Sequence, residues 1–292
     1  MVLVPWDSLH GEQLWDLRVY LDSFNIGAYD YLDELGGMLY LLSEPAWRAV
    51  VATLHGLTGS FESALGVVTF ASAGLYCFVM LRARGASAIF LVSPLLIDLF
   101  VSQLRSALAG ALFFSAVSSR RVSVWALVLP VSALIHTSSI VLFAFYGLAL
   151  GLSQLRRWRV EAALATTAVV SVVLPLAFVA SYALLLGEIG DRRAVTETAW
   201  PGGLFVATFA LYYAVLLANL RRVVSDPALV FAFLIAGFFV VSALFEFNGL
   251  RFIAVTFPLL VRAAFRMPRI ERRILLAALL TMTVYHLVLW LA

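Results

Sequence analysis

From residue 62 to the C-terminus, apolar runs alternate with short clusters of charged residues. The runs cover roughly 62–81, 86–100, 102–118, 122–135, 138–154, 160–187, 203–220, 227–245, 251–266 and 274–291. A bilayer crossing takes about 20 apolar residues, fewer where the segment is re-entrant or short. In hydrocarbon each backbone polar group must be bonded within the segment, so runs of this kind form helices, and the residue-by-residue alternation of a barrel is absent. The pattern predicts an all-α, polytopic membrane protein with about ten membrane segments. Residues 1–61 differ, with eight acidic residues and two Arg around small apolar patches. They predict an acidic head outside the cytoplasm, in which Ala46 to Leu57 forms an amphipathic helix on the membrane surface. The chain thus divides into a head, 1–61, and a transmembrane domain, 62–292.

Composition strengthens this reading. Of the 292 residues 63% are hydrophobic, against about 45–50% in soluble domains, which excludes a soluble single core. The pI of about 9.2 does not point to nucleic acid, because the basic residues fall between apolar runs rather than on one polar face. They orient the chain instead. All 20 basic residues are Arg, and 14 fall on one side if the first segment runs inward: Arg82, Arg84, Arg120, Arg121, Arg156, Arg157, Arg159, Arg221, Arg222, Arg262, Arg266, Arg269, Arg272 and Arg273. By the positive-inside rule that side is cytoplasmic. The six exceptions are Arg18, Arg48, Arg105, Arg192, Arg193 and Arg251. The single cysteine, Cys77, sits inside an apolar run and allows no disulfide within the chain. Residues 1–61 show no basic stretch followed by an apolar one, the mark of a cleavable signal peptide.

The exceptions carry the candidate chemistry. Arg105 opens an apolar helix; a guanidinium there costs several kcal/mol unless paired or snorkelling to the interface, so it is a candidate site residue, with Asp98 just upstream as an ordinary partner. His136 ends the next segment at the same outer face, where the plain reading is a helix-end histidine. Glu246 and Arg251 flank a short outer loop, as a loop salt bridge or as part of a site. Arg192 and Arg193 stand beside Asp191 in the longest outer loop after the head, either solvated or as a bidentate clamp for phosphate. His10, His55 and His286 are isolated and read as structural. There is no phosphate-binding GxxxxGK[ST] loop, no cluster with metal-ligand spacing, no D-x-D pair in an outer loop and no G-x-S-x-G elbow. Nor do mid-membrane carboxylates mark a proton-coupled pump. What remains is an outer-face collection of Arg, His and carboxylates suited to a large anionic leaving group, with no cofactor and no metal.

The order of several motifs resembles the EpsG/Wzy-type polysaccharide polymerases of bacterial inner membranes. Gln103-Leu104-Arg105-Ser106-Ala107-Leu108-Ala109 is similar to that family's R-Q-x-L-A helix, with Ser106 in place of Gln, and Ile135-His136-Thr137-Ser138 to its I-H-x-S helix end. Asp16-Leu17-Arg18-Val19-Tyr20 resembles its first-loop element, Ser43-Glu44-Pro45-Ala46-Trp47 its E-P-x-F/W turn, and Gly249-Leu250-Arg251-Phe252 the Arg that opens a late helix. Family members usually begin with one further span, so the expectation is either that the acidic head is translocated without a preceding span or that this chain starts late relative to them. The resemblance implies a GT-C-like glycosyltransferase joining undecaprenyl-pyrophosphate-linked repeat units at the periplasmic face, with a chain-length regulator protein as partner. It implies that Arg105, Arg251 and Arg18 serve substrate binding, to which Arg192, Arg193 and Glu246 are added from their outer-loop positions, and that His136 or Asp16 deprotonates the acceptor. Arg would supply the charge that a metal supplies elsewhere.

Two other classes compete. A flippase or transporter of lipid-linked oligosaccharide would carry charges along a path through the membrane, whereas here they collect at one face. A polytopic sugar acyltransferase would use a His but no cluster of outer Arg. The orientation is testable by itself: single cysteines at Glu188 and Gln154, in a chain lacking Cys77, should differ toward an impermeant maleimide, with Glu188 labelled from outside and Gln154 protected. The opposite labelling would invert the orientation.

Overall fold

Proline and small polar residues cut the apolar runs into helices. Pro45, Pro94 and Pro227 occupy first-turn positions, where the missing N–H costs nothing. Asp226 caps the last of these helices by accepting the Ala228 amide at 2.9 Å. Gly59, with φ of 76°, ends the first of them through its N–H to the His55 carbonyl. The computed structural model describes residues 44–83, 85–119, 122–189, 202–245 and 249–291, and these contain helices and no strand. The chain falls into two compact units, Met1–Phe143 and Ala144–Ala292.

The first unit holds α1 (Pro45–Thr58), α2 (Phe61–Ala83), a 3-10 helix (Gly85–Val92), α3 (Pro94–Val101), α4 (Leu104–Ser118) and α5 (Val122–Ile135); α6 (Ser138–Trp158) begins in it. The sequence places α1 on the membrane surface as an amphipathic helix. It is a helix, but its apolar stripe is occupied by protein: Trp47 and Val51 are buried with Phe61, Leu65 and Val68 of α2, Leu104 and Ala109 of α4 and Ile135 of α5. Tyr76 of α2 is fully buried edge-on between Phe100 and Phe114, with ring centroids 5.0 and 4.7 Å away.

The axis turns by 108° between α3 and α4. The break is internally bonded, as it must be where water is scarce. The Ser102 and Gln103 amides both donate to the Asp98 carbonyl, the Gln103 side-chain amide donates to the Asp98 carboxylate at 2.6 Å, and Thr69 Oγ1 donates to the Phe100 carbonyl at 3.0 Å.

The second unit contains α7 (Val160–Ile189), α8 (Gly203–Ala218), α9 (Leu220–Val223), α10 (Pro227–Leu244), α11 (Leu250–Arg266) and α12 (Arg269–Leu291). Its centre is α10, buried on nearly every face against α7, α8 and α11. Tyr213 stacks on Phe233 at 4.6 Å, and Phe238 meets Phe145, Phe178 and Phe252 edge-on. At the charged end of this unit, Arg266 Nη1 reaches both oxygens of Asp226 at 2.6 Å, while Arg222 donates back to the Arg266 carbonyl. Arg222 and Arg266, two of the Arg assigned to the cytoplasmic side, therefore also hold α9, α10 and α11 together.

The protein is a helical membrane protein. Four described helices are long and apolar enough to cross a bilayer, in α2, α6, α7 and α10, or five if the bent α3–α4 pair forms one span. Large apolar side chains point outward on these helices, among them Phe70 and Phe78 of α2 and Val169 and Val173 of α7. Water would penalise such faces, whereas lipid does not. The ten segments expected from the sequence are reduced for a geometric reason. Segments 86–100 and 102–118 are a 3-10 helix and a bent pair of helices. α5, α8 and α11 have 14, 16 and 17 residues, which at about 1.5 Å per residue fall short of a ~30 Å hydrocarbon layer.

Gly237 sits where α10 passes α7 and α8, and a Cβ there would lie 2.8 Å from the Ser171 carbonyl oxygen and 3.0 Å from the Tyr213 ring. Gly237→Ala should cost about 1–3 kcal/mol, read as a lower melting temperature in detergent. Gly66→Ala, whose Cβ meets nothing within 4 Å, should leave the melting temperature unchanged or raise it slightly.

Candidate functional site

Three chain segments of the first unit converge on one carboxylate. Glu44 immediately precedes α1, Arg105 lies in the first turn of α4, and His136 with Thr137 forms the turn between α5 and α6. Oε2 of Glu44 accepts from Arg105 Nη1. Oε1 lies 2.5 Å from His136 Nδ1 and accepts the Thr137 amide at 3.3 Å. Only 6% of the Glu44 side chain is exposed, against 13% for His136 and 36% for Arg105. The carboxylate thus forms the floor of the cluster, and the guanidinium reaches furthest toward its surface.

Local structure explains the convergence. The break after α3 starts α4 at Leu104 and so brings Arg105 to a helix start, where a residue in an unbroken span would be passing through the membrane. α5 ends at Ile135. The His136 amide still bonds back to the Ser132 carbonyl at 2.9 Å, and the His136 carbonyl accepts Ser139 N–H at 3.0 Å, fixing the backbone on both sides of the ring. The Thr137 amide at the entrance to α6 then points at the carboxylate, as helix starts favour. Glu44 is held by α1, whose Trp47 and Val51 anchor it to α2, α4 and α5. Its own backbone is left-handed, with φ of 59° and ψ of 55°, a conformation that costs a side-chain-bearing residue of order 1–3 kcal/mol and that clusters at functional positions.

Burial alone would raise the pKa of Glu44. The charge and hydrogen bond of His136, the charge of Arg105 and the Thr137 amide together outweigh it and bring the carboxyl down from 4.5 to about 2. The site therefore holds a carboxylate that is ionised at neutral pH, an imidazole oriented by it and a guanidinium beside it. Such a group can take a proton from a hydroxyl at His136 while an anion lies against Arg105.

The residues expected from the sequence are distributed unevenly. Arg105 and His136 are brought to one point, and the carboxylate that joins them is Glu44. Arg251 is exposed in the first turn of α11, in the second unit. Asp16, Arg18, Arg192, Arg193 and Glu246 lie outside the described residues. His286, read from the sequence as isolated and structural, has Nδ1 2.8 Å from the Met282 carbonyl and its ring against Phe205. Glu44 was not among the candidate site residues. Its signal was present in the acidic residue of the Glu44-Pro45-Ala46-Trp47 turn, which reads as a helix start until its tertiary partners are known. Among the described residues, no three His, Cys, Asp or Glu side chains gather closely enough to hold a metal ion. No family model, curated protein or solved structure matches the chain.

Because the folded pKa of Glu44 lies below its unfolded value, its stabilisation is fully present above about pH 4.5 and is lost as pH falls toward about 2. Glu44→Gln, which leaves Arg105 and His136 without their charge partner, should cost on the order of 3 kcal/mol at neutral pH. Unfolding in detergent should show the gap between wild type and variant narrowing by about pH 3. A gap independent of pH would show that the carboxylate charge does not tie these segments together.

Proposed function

We propose that the protein is a membrane glycosyltransferase that polymerises undecaprenyl-pyrophosphate-linked oligosaccharide repeat units, working at the periplasmic face of a bacterial inner membrane. The observation that carries this reading is the buried Glu44 carboxylate joining His136 to Arg105. It supports a site that activates a hydroxyl next to a place for an anion, the two requirements of glycosyl transfer from a lipid pyrophosphate. The choice of substrate rests on the resemblance of Gln103 to Ala109, Ile135 to Ser138 and Ser43 to Trp47 to EpsG/Wzy-type polymerases, as does the GT-C type of the fold.

In this reaction His136 takes the proton of an acceptor sugar hydroxyl as its oxygen bonds to the anomeric carbon of the growing chain. The bond from that carbon to the pyrophosphate oxygen breaks, and the lipid pyrophosphate departs with the electron pair. Arg105 faces the charge that develops on the departing group. The guanidinium plane can engage two phosphate oxygens, which an ammonium cannot reproduce. Arg251, Arg192, Arg193, Arg18 and Glu246 as substrate-binding residues, Asp16 as a second proton acceptor and a chain-length regulator as partner belong to the reading through the sequence.

In a reconstituted assay His136→Ala should lose about 10²- to 10⁴-fold in rate while still binding donor lipid, and Arg105→Lys should remain impaired. Wild-type turnover in both variants would move the site elsewhere. Deletion of the gene should abolish long surface polysaccharide while single repeats persist. Loss of both would indicate a flippase, and full-length chains lacking acyl groups an acyltransferase.

A further inference from the structure

The contact between Glu44 and His136 determines more than position. Carboxylate oxygens of an ionised Glu only accept hydrogen bonds, so at 2.5 Å from Glu44 Oε1 the Nδ1 atom of His136 carries a proton. A neutral imidazole has one N–H, which leaves the lone pair on Nε2. Nε2 makes no hydrogen bond among the described residues, whereas the carboxylate is fixed at three points, by Arg105 at Oε2 and by His136 and the Thr137 amide at Oε1. Glu44 is thereby kept from rotating away from the ring, and its left-handed backbone is maintained by the anchoring of α1 beneath it. Among the described residues, the charge that acts on the Glu44 carboxylate from a neighbouring helix besides His136 is that of Arg105 on α4; α5 contributes no charged side chain from Ser123 to Ile135.

We propose that Glu44 is a positioning residue for proton transfer: it selects the Nδ1–H tautomer of His136, so that Nε2 is the atom that receives the acceptor hydroxyl's proton, and it stabilises the imidazolium that results. Arg105 and the Thr137 amide keep the carboxylate ionised and aimed. The imidazolium afterwards returns the proton to solvent, restoring the starting state with no other reactant. The inference rests on the reading of this site as one that activates a hydroxyl, but its structural half can be tested without any substrate.

The experiment uses the full-length protein in lipid nanodiscs, with ring-15N-labelled histidine. The chain has four histidines, and the His136 signals are those missing from His136→Asn. At mildly alkaline pH the wild type should show His136 protonated at Nδ1 and bare at Nε2. Glu44→Gln and Glu44→Leu should shift it toward Nε2–H. In the reconstituted transfer assay Glu44→Gln should lower kcat on the order of 10²-fold with KM nearly unchanged, and should add no further loss on top of His136→Asn. A bare Nδ1 or a doubly protonated ring in the wild type would overturn the proposal whether or not the variants fold, as would an unchanged tautomer in folded Glu44 variants. If the tautomer behaves as stated but His136→Asn transfers at the wild-type rate, the catalytic half falls together with the polymerase reading, and the NMR result separates that failure from a failure of the contact.

Discussion

An ionised carboxylate with almost no contact with water persists only if several donors surround it, and in the first unit Glu44 imposes that condition on three separate segments. Arg105 must stand at a helix start, the α5–α6 turn must present both an imidazole and an amide, and α1 must dock firmly enough to hold a left-handed residue in place. Each requirement accounts for a feature that otherwise looks like a defect. The bend between α3 and α4 breaks a helix in an apolar setting, α5 is short, and α1 is an amphipathic helix turned inward. Together they bring Glu44, Arg105 and His136 to one point among packed apolar helices.

The second unit meets the same constraint differently. Its interior is aromatic, organised on α10, and one charged cluster lies at a helix end, where Asp226 caps α10 and receives Arg266 while Arg222 satisfies the Arg266 carbonyl. Those charges are largely spent on one another and on backbone groups. In the first unit the balance is different: one carboxylate holds both a guanidinium and an imidazole, and it is 6% exposed where Asp226 is 27% exposed. That contrast is why the chemistry is assigned to Glu44, Arg105 and His136 rather than to the Asp226 cluster.

The membrane assignment and the site assignment come from different scales of information. Apolar content and run length are summed over whole segments, and the outward-facing Phe70, Phe78, Val169 and Val173 agree with them. The number of crossings is more delicate. An apolar run shows that a segment avoids water, yet a segment inside a protein, such as α3, avoids water equally well. Run length therefore overcounted spans where apolar segments fold as short or bent helices, as over 86–100, 102–118 and 122–135.

The sequence by itself determined the helical membrane character of this protein, the helices over Ala46 to Leu57 and from residue 227, and the prominence of Arg105 and His136, because each is expressed within a few turns of chain: an apolar run, an amphipathic stretch, a charge where hydrocarbon is expected. Only the tertiary structure decided that α1 turns its stripe toward protein, that the chain bends after α3, and that Glu44 joins Arg105 and His136. Those partners lie 61 and 92 residues away from Glu44. No local pattern encodes such a meeting, since its driving force is the desolvation of a charge, and that exists only once the helices have packed around it.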